Sequence, residues 1–203
     1  FVDPADSKRK GSDFTAMFCI GLGRDKKYYI LDLVRDRLNL TERTNKLFAW
    51  CQQYKVLAVF YEKFGMLSDI SHIQYVQEMN NYRFEVTKVR DRVKKEERIK
   101  RLIPLFEQKR IYLPKSCIRE NYEHKHEDLV QVFINDEYKA FPVSLHDDML
   151  DCLAQIQAPE VELSFPLVQA TPVVLTQAQN DWTHVFGRGQ SSFNCDEDFT
   201  MYH

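Results

Sequence analysis

Five acidic side chains are placed where they could do chemistry together. Asp3 closes a short extended opening segment. Glu62 directly follows the apolar run Val56-Leu57-Ala58-Val59-Phe60-Tyr61. Asp147, Asp148 and Asp151 open a helical stretch near residue 150. Positions three and four apart share one helix face, so one turn can offer two carboxylates to a single site. Magnesium prefers oxygen ligands in near-octahedral geometry. Two such ions about 4 Å apart can hold the attacking water and the leaving 3′-oxygen of an in-line phosphodiester displacement. Each acid also has an ordinary reading. Asp3 can be a turn residue before Pro4, Glu62 a strand-end charge beside Lys63, and Asp147 and Asp148 helix-start acids favoured by the dipole. It is their joint occurrence at element ends that points to a metal site.

The elements that must position them follow from hydrophobic period. Residues 13–22 and 27–34 read as strands joined by Gly21-Leu22-Gly23-Arg24-Asp25, with glycine expected where a hairpin needs positive φ. With the opening segment they form an antiparallel meander. Residues 41–54 then carry Leu47, Trp50, Cys51 and Tyr54 at helical spacing, after the cap candidates Asn39 and Thr41. The continuous apolar run 56–61 suits a buried central strand. Helices are expected over 65–80, 94–108 (broken near Pro104), 121–135 and 145–158, with short strands over 84–89 and 111–114. The order β-β-β-α-β-α-β-α gives an α/β fold with a mixed five-stranded central sheet flanked by helices on both faces. In it the first and fourth strands are neighbours, which brings Asp3 beside Glu62.

The formal net charge of −2 hides an asymmetry. Residues 83–110 carry eleven Lys/Arg against five Asp/Glu, whereas residues 159–203 carry six acids and one Arg. A polyanion-binding core with an acidic tail is the expectation. Lys8, Arg9, Lys10, Lys88, Arg90, Arg92 and Lys94 are the candidate DNA-binding cations, since Lys/Arg contacts to phosphate supply sequence-independent affinity. Lys100 and Arg101 read as a solvated face interlaced with Glu96 and Glu97. His146, just before the Asp pair, is a possible accessory: a ligand, a water-orienting group or a carboxylate partner. The five cysteines are widely spaced without a C-x-x-C pair, as expected of reduced thiols, and Cys117, His124 and His126 lack a fourth zinc ligand. No apolar run approaches the roughly 18 residues of a membrane span. No phosphate-binding G-x-x-x-x-G-K-[ST] occurs, so ATP hydrolysis by this stretch is not expected. Beyond Pro159, Pro, Gln, Gly and Ser predict a loosely ordered acidic tail. Its Phe165, Trp182, Phe186, Phe193 and Phe199 suggest docking.

Three stretches carry a resemblance. Phe1-Val2-Asp3-Pro4-Ala5, Val59-Phe60-Tyr61-Glu62-Lys63-Phe64-Gly65 and His146-Asp147-Asp148-Met149-Leu150-Asp151-Cys152-Leu153-Ala154 resemble the nuclease motifs of bacteriophage terminase large subunits. The likeness extends over about residues 1–158, leaving 159–203 as the tail. It implies an RNase H-like fold and an endonuclease that cuts concatemeric viral double-stranded DNA during packaging. Asp3, Glu62 and Asp148 would be catalytic, with Asp147 and Asp151 as further metal ligands, around two Mg²⁺ or Mn²⁺ ions. It also implies an N-terminal ATPase motor domain in the same polypeptide, in keeping with a start at Phe1 rather than Met. Portal protein and the small terminase subunit would be partners, in the host bacterial cytoplasm. A junction resolvase or ribonuclease H shares such a site. An actin-like ATP-binding half-domain shares the strand order but needs glycine-rich phosphate hairpins that are missing here.

Overall fold

A computed structural model describes residues 1–5, 13–62, 67–90, 92–167 and 199–200. The mixed sheet has the strand order β5-β4-β1-β2-β3-β6-β9. Its first three strands, β1 (Val2–Asp3), β2 (Thr15–Leu22) and β3 (Tyr28–Asp36), run antiparallel, and β4 (Val59–Glu62) and β5 (Val86–Val89) run parallel to β1. These five are the expected α/β sheet. Two strands extend it. β6 (Ile111–Pro114) pairs in parallel with β3, and β9 (Phe199–Thr200) pairs antiparallel with β6. The segment expected as a loose tail therefore contributes a strand. Phe165 also packs edge-on against Tyr28, with ring centroids 5.2 Å apart. The remaining tail aromatics, Trp182, Phe186 and Phe193, lie outside the described residues, as do Lys8, Arg9, Lys10, Gly65 and Cys195.

Helices cover both faces. On one face α1 (Leu40–Tyr54) and α2 (Leu67–Met79) pack over Val2, Met17, Val34 and Tyr61. On the other, α3 (Lys95–Lys100), α4 (Ile103–Glu107), α5 (Leu129–Val132) with the π-helical turn Phe133–Tyr138, and α6 (Asp148–Ala154) pack over Ala16, Phe18 and Leu33. Successive strand residues face opposite ways. Val2 and Tyr61 therefore bury against α1 and α2, and the next residue on each strand, Asp3 and Glu62, belongs to the α6 face.

Local chemistry accounts for the element ends. The Asn39 side chain accepts from the Glu42 amide at 2.9 Å while the Glu42 carboxylate accepts from the Asn39 amide at 2.8 Å, a reciprocal cap that starts α1. Pro104 falls in the first turn of α4, where its missing N–H is harmless, so the expected long basic helix is two short ones. In the β2–β3 hairpin the left-handed residue is Lys26 (φ 63°), not a glycine. Gly23 serves a different need there: a Cβ would lie 2.2 Å from Asp25 Oδ1. The helix expected over 121–135 starts only at Leu129. Asn121 Oδ1 accepts from the amides of Glu123 and Lys125, and His124 turns left-handed (φ 61°). That turn closes a hairpin of β7 (Ile118–Glu120) and β8 (His126–Asp128), and α5 begins only after the Asp128 cap. The four described cysteines, Cys19, Cys51, Cys117 and Cys152, are free and buried. Among the described residues no helix is long and apolar enough to cross a membrane.

One buried network locks α1, α2 and β4 together. Arg43 of α1 donates to Asp69 Oδ2 of α2 at 2.7 and 3.2 Å, and the Tyr61 hydroxyl of β4 donates to the same carboxylate. Arg43 also donates to the Leu38 carbonyl at 2.8 Å and to the Ala5 carbonyl at 3.3 Å. The network thus anchors the residue before Glu62 and a residue two beyond Asp3. Removing one member of a buried ion pair strands the other, at a cost of about 3–5 kcal/mol. Asp69→Ala should therefore lose about that much stability in urea unfolding, and a loss below about 1 kcal/mol would refute the anchoring role.

Candidate metal and nucleic-acid site

Asp3 and Glu62 sit one residue beyond the paired Val2 and Tyr61 on adjacent parallel strands. Their side chains share a hydrogen bond. Burial, followed by that bond and the Glu62 charge, holds the Asp3 carboxyl well above the usual carboxylate range. Two carboxyls this close need a proton or a cation between them. Glu62 Oε2 also accepts from Gln155 Nε2 at 3.1 Å.

The first turn of α6 faces this pair. Asp148 and Asp151 are both buried. Burial raises the Asp148 carboxyl, opposed chiefly by Lys95, and raises that of Asp151, opposed chiefly by Arg98. Among the described residues the contacts of the Asp148 carboxylate are sparse. The Phe14 amide donates at 3.5 Å, and His146 Nδ1 stands 3.8 Å away. His146 also meets the Phe14 ring edge-on, with centroids 5.1 Å apart. Asp148 therefore retains acceptor capacity in a buried setting.

Asp147 and Asp151 are differently occupied. Arg98 grips Asp151 through two bonds of 2.7 and 2.6 Å, and its third nitrogen stands 3.8 Å from Glu62 Oε1. Lys95 Nζ lies 2.6 Å from Asp147 and 3.8 Å from Asp151. Among the described residues no group of three or more His, Cys, Asp or Glu side chains is already gathered for a metal. The donor chemistry nevertheless fits one. Asp3 and Glu62 crowd each other, the Asp148 charge acts on Asp3, and hard carboxylates suit Mg²⁺ or Mn²⁺.

The cations proposed for nucleic acid divide in two. Lys88, Arg90, Arg92 and Lys94 are exposed. Val89 pairs in register with Glu62, so Lys88 and Arg90 flank the end of β5 at the carboxylate end of the sheet. Lys8, Arg9 and Lys10 lie outside the described residues. Lys100 pairs with Glu97 at 3.0 Å and Glu96 at 3.8 Å, the solvated face expected of it.

Four positioning residues are not among the site residues expected from sequence. Gln155 has a readable signal, since Asp148, Asp151 and Gln155 follow the helical three-and-four spacing. Lys95 reads from sequence as one more cation suited to phosphate, not as a partner of Asp147. Arg98 is hidden because a basic helix gives no clue to which cation turns inward. Glu137, fully buried, reaches α6 from a π-helical turn that no sequence period announces. Its Oε2 accepts from the amides of Met149 and Leu150 at 2.9 and 3.0 Å, satisfying the open start of the helix that carries Asp148. Arg35 Nε stands 3.3 Å from its other oxygen.

Burial raises the Glu137 carboxyl from its ordinary 4.5 to about 7. The folded chain thus binds this proton more tightly than the unfolded chain. The resulting stabilisation is complete below pH 4.5 and is lost as pH rises through about 7, on the order of 3 kcal/mol in all. Glu137→Gln should flatten that part of the stability–pH curve while keeping an acceptor for α6. Chemical unfolding between pH 4.5 and 8 measures it, and an unchanged slope in the variant would contradict the assignment.

Comparison with known proteins agrees with this fold. A family model described as the terminase RNase H-like domain matches residues 1–156, which spans β1 through nearly all of the Gln155–Gln157 turn after α6. No curated protein matches the chain. The chain belongs to the terminase RNase H-like family and is a terminase-type nuclease domain.

Proposed function

We propose that this domain is a divalent-metal-dependent endonuclease that cuts concatemeric viral double-stranded DNA during genome packaging, using Mg²⁺ or Mn²⁺. The observation that carries the proposal is the crowded Asp3–Glu62 pair at the ends of β1 and β4, on which the charge of Asp148 of α6 also acts. Asp3, Glu62 and Asp148 hold the cation. A bound divalent ion there would supply Lewis-acid activation of a phosphoryl oxygen and a water acidic enough to attack at neutral pH. Two-ion chemistry, the expectation from sequence, draws in addition on Asp147 and Asp151. His146, close to Asp148 and braced by Phe14, orients that carboxylate or a water beside it. Lys88, Arg90, Arg92 and Lys94 hold duplex phosphates on the β5 side, with Lys8, Arg9 and Lys10 as further phosphate contacts. Sequence choice and power for translocation belong to partners: an ATPase motor domain N-terminal in the same polypeptide, the portal protein and the small terminase subunit. The setting is the host bacterial cytoplasm.

Supercoiled plasmid tests this reading. The chain should nick and linearise it with Mn²⁺ or Mg²⁺ and be inert in EDTA. Asp3→Ala, Glu62→Ala and Asp148→Ala should each lower cleavage by at least about 100-fold while the fold persists, because each removes charge that offsets the ion. Full cutting in chelator would refute the mechanism. Preference for a four-way junction or an RNA–DNA hybrid over duplex would move the substrate to a resolvase or ribonuclease H.

Binding should depend on salt rather than on sequence. Lys88→Glu or Arg90→Glu should weaken binding to all duplexes alike and reduce the salt slope by about one for each phosphate that is no longer neutralised. Fluorescence anisotropy on unrelated duplexes measures this. Selective weakening on one sequence would show that these cations read bases.

A further inference from the structure

The acids of α6 are already shared with cations from α3, and the sharing uses named oxygens. Both oxygens of Asp151 are taken by Arg98, at 2.7 and 2.6 Å. Asp147 Oδ1 is taken by Lys95 at 2.6 Å. Glu62 turns one oxygen toward Arg98 at 3.8 Å and the other toward Gln155 at 3.1 Å. Arg98 and Asp151 are both buried, so the bond between them is a two-pronged, charge-assisted one shielded from water. A second divalent ion on this side needs those same oxygens. To take them it must break the two-pronged bond of a buried guanidinium to its carboxylate. On the other side, the contacts that Asp148 makes among the described residues are the long ones to Phe14 and His146, and its charge acts on Asp3, so one cation meets no such obstacle.

We infer that Arg98 and Lys95 of α3 stand in for a second divalent ion, so that the cluster binds a single one on its Asp3–Glu62–Asp148 side. This rests on the metal-dependent reading above and narrows it. Helix α3 then has a stated task beyond packing. It presents fixed positive charge to Asp147 and Asp151, as a second ion would, without exchanging with solvent. Arg suits the buried position because its planar fork matches a carboxylate, and Lys suits the exposed one as a mobile point charge.

Counting bound Mn²⁺ on the full chain, without DNA, tests the inference apart from activity. Electron paramagnetic resonance of free Mn²⁺, checked by calorimetry, should give about one ion per chain, and Lys95→Met with Arg98→Met should raise it to about two. Lys95 is exposed, so Lys95→Met alone carries the test if the double variant does not fold; it should strengthen binding of a second ion. Arg98→Lys, which keeps the charge, should stay near one ion. A wild-type count of two would overturn the inference, as would Lys95→Met and the Lys95→Met with Arg98→Met double variant both remaining at one. In either case Mn²⁺-dependent cleavage of plasmid would leave the nuclease reading intact. Absence of both Mn²⁺ binding and cleavage would bring down that reading and this inference together.

Discussion

Adjacent strands in a sheet lie about 4.8 Å apart, and that spacing sets the terms for the whole site. β1 and β4 run parallel, and each delivers an acid one residue beyond the paired Val2 and Tyr61. Asp3 and Glu62 are thereby brought into hydrogen-bond contact on the α6 face, where both are half-buried. Holding two carboxyls together is costly, and a cation between them would offset that cost. The surrounding elements supply charge and rigidity to that pair.

Rigidity comes from both faces. Beneath the sheet, Arg43, Asp69 and Tyr61 tie α1 and α2 to β4, and Arg43 reaches the Ala5 carbonyl just past β1. Above it, Glu137 holds the amides at the start of α6. Cys152 Sγ lies 3.4 Å from the Ala16 carbonyl, keeping α6 close over β2. Ala16 pairs with Asp3 in register, so its small side chain leaves room for α6 to approach the acid. Charge comes from α3, whose Arg98 and Lys95 reach Asp151, Asp147 and the edge of Glu62.

Much of this is legible in the sequence. Alternating and continuous apolar runs mark five strands in the right order, and chain order alone places Asp3 beside Glu62. The Asn39 cap and the Asp148–Asp151 spacing are equally plain. Features decided by tertiary contact are not. The 121–135 stretch has helical composition, yet the Asn121 side chain and a left-handed His124 close a hairpin instead. β9 adds to the sheet from a segment whose composition reads as a tail, because two residues suffice to pair with the open edge of β6. The inward turn of Arg98 and the reach of Glu137 depend on rotation about helix axes, which periodicity fixes poorly in a six-residue helix and a π-helical turn. A run of cations therefore looks uniform in sequence, although one of them is buried against an acid.

On the reading proposed above, Asp3, Glu62 and Asp148 are to be completed by a divalent cation. Thermal unfolding with and without Mn²⁺ tests it most directly, since a ligand that binds only the folded chain must raise the transition temperature as its concentration passes Kd. The account predicts a rise with Mn²⁺ in the wild type. It predicts none in Asp148→Asn, and a higher transition temperature for metal-free Glu62→Gln than for the metal-free wild type, as repulsion on Asp3 is relieved. A wild-type transition unmoved by millimolar Mn²⁺, or raised equally in Asp148→Asn, would contradict it.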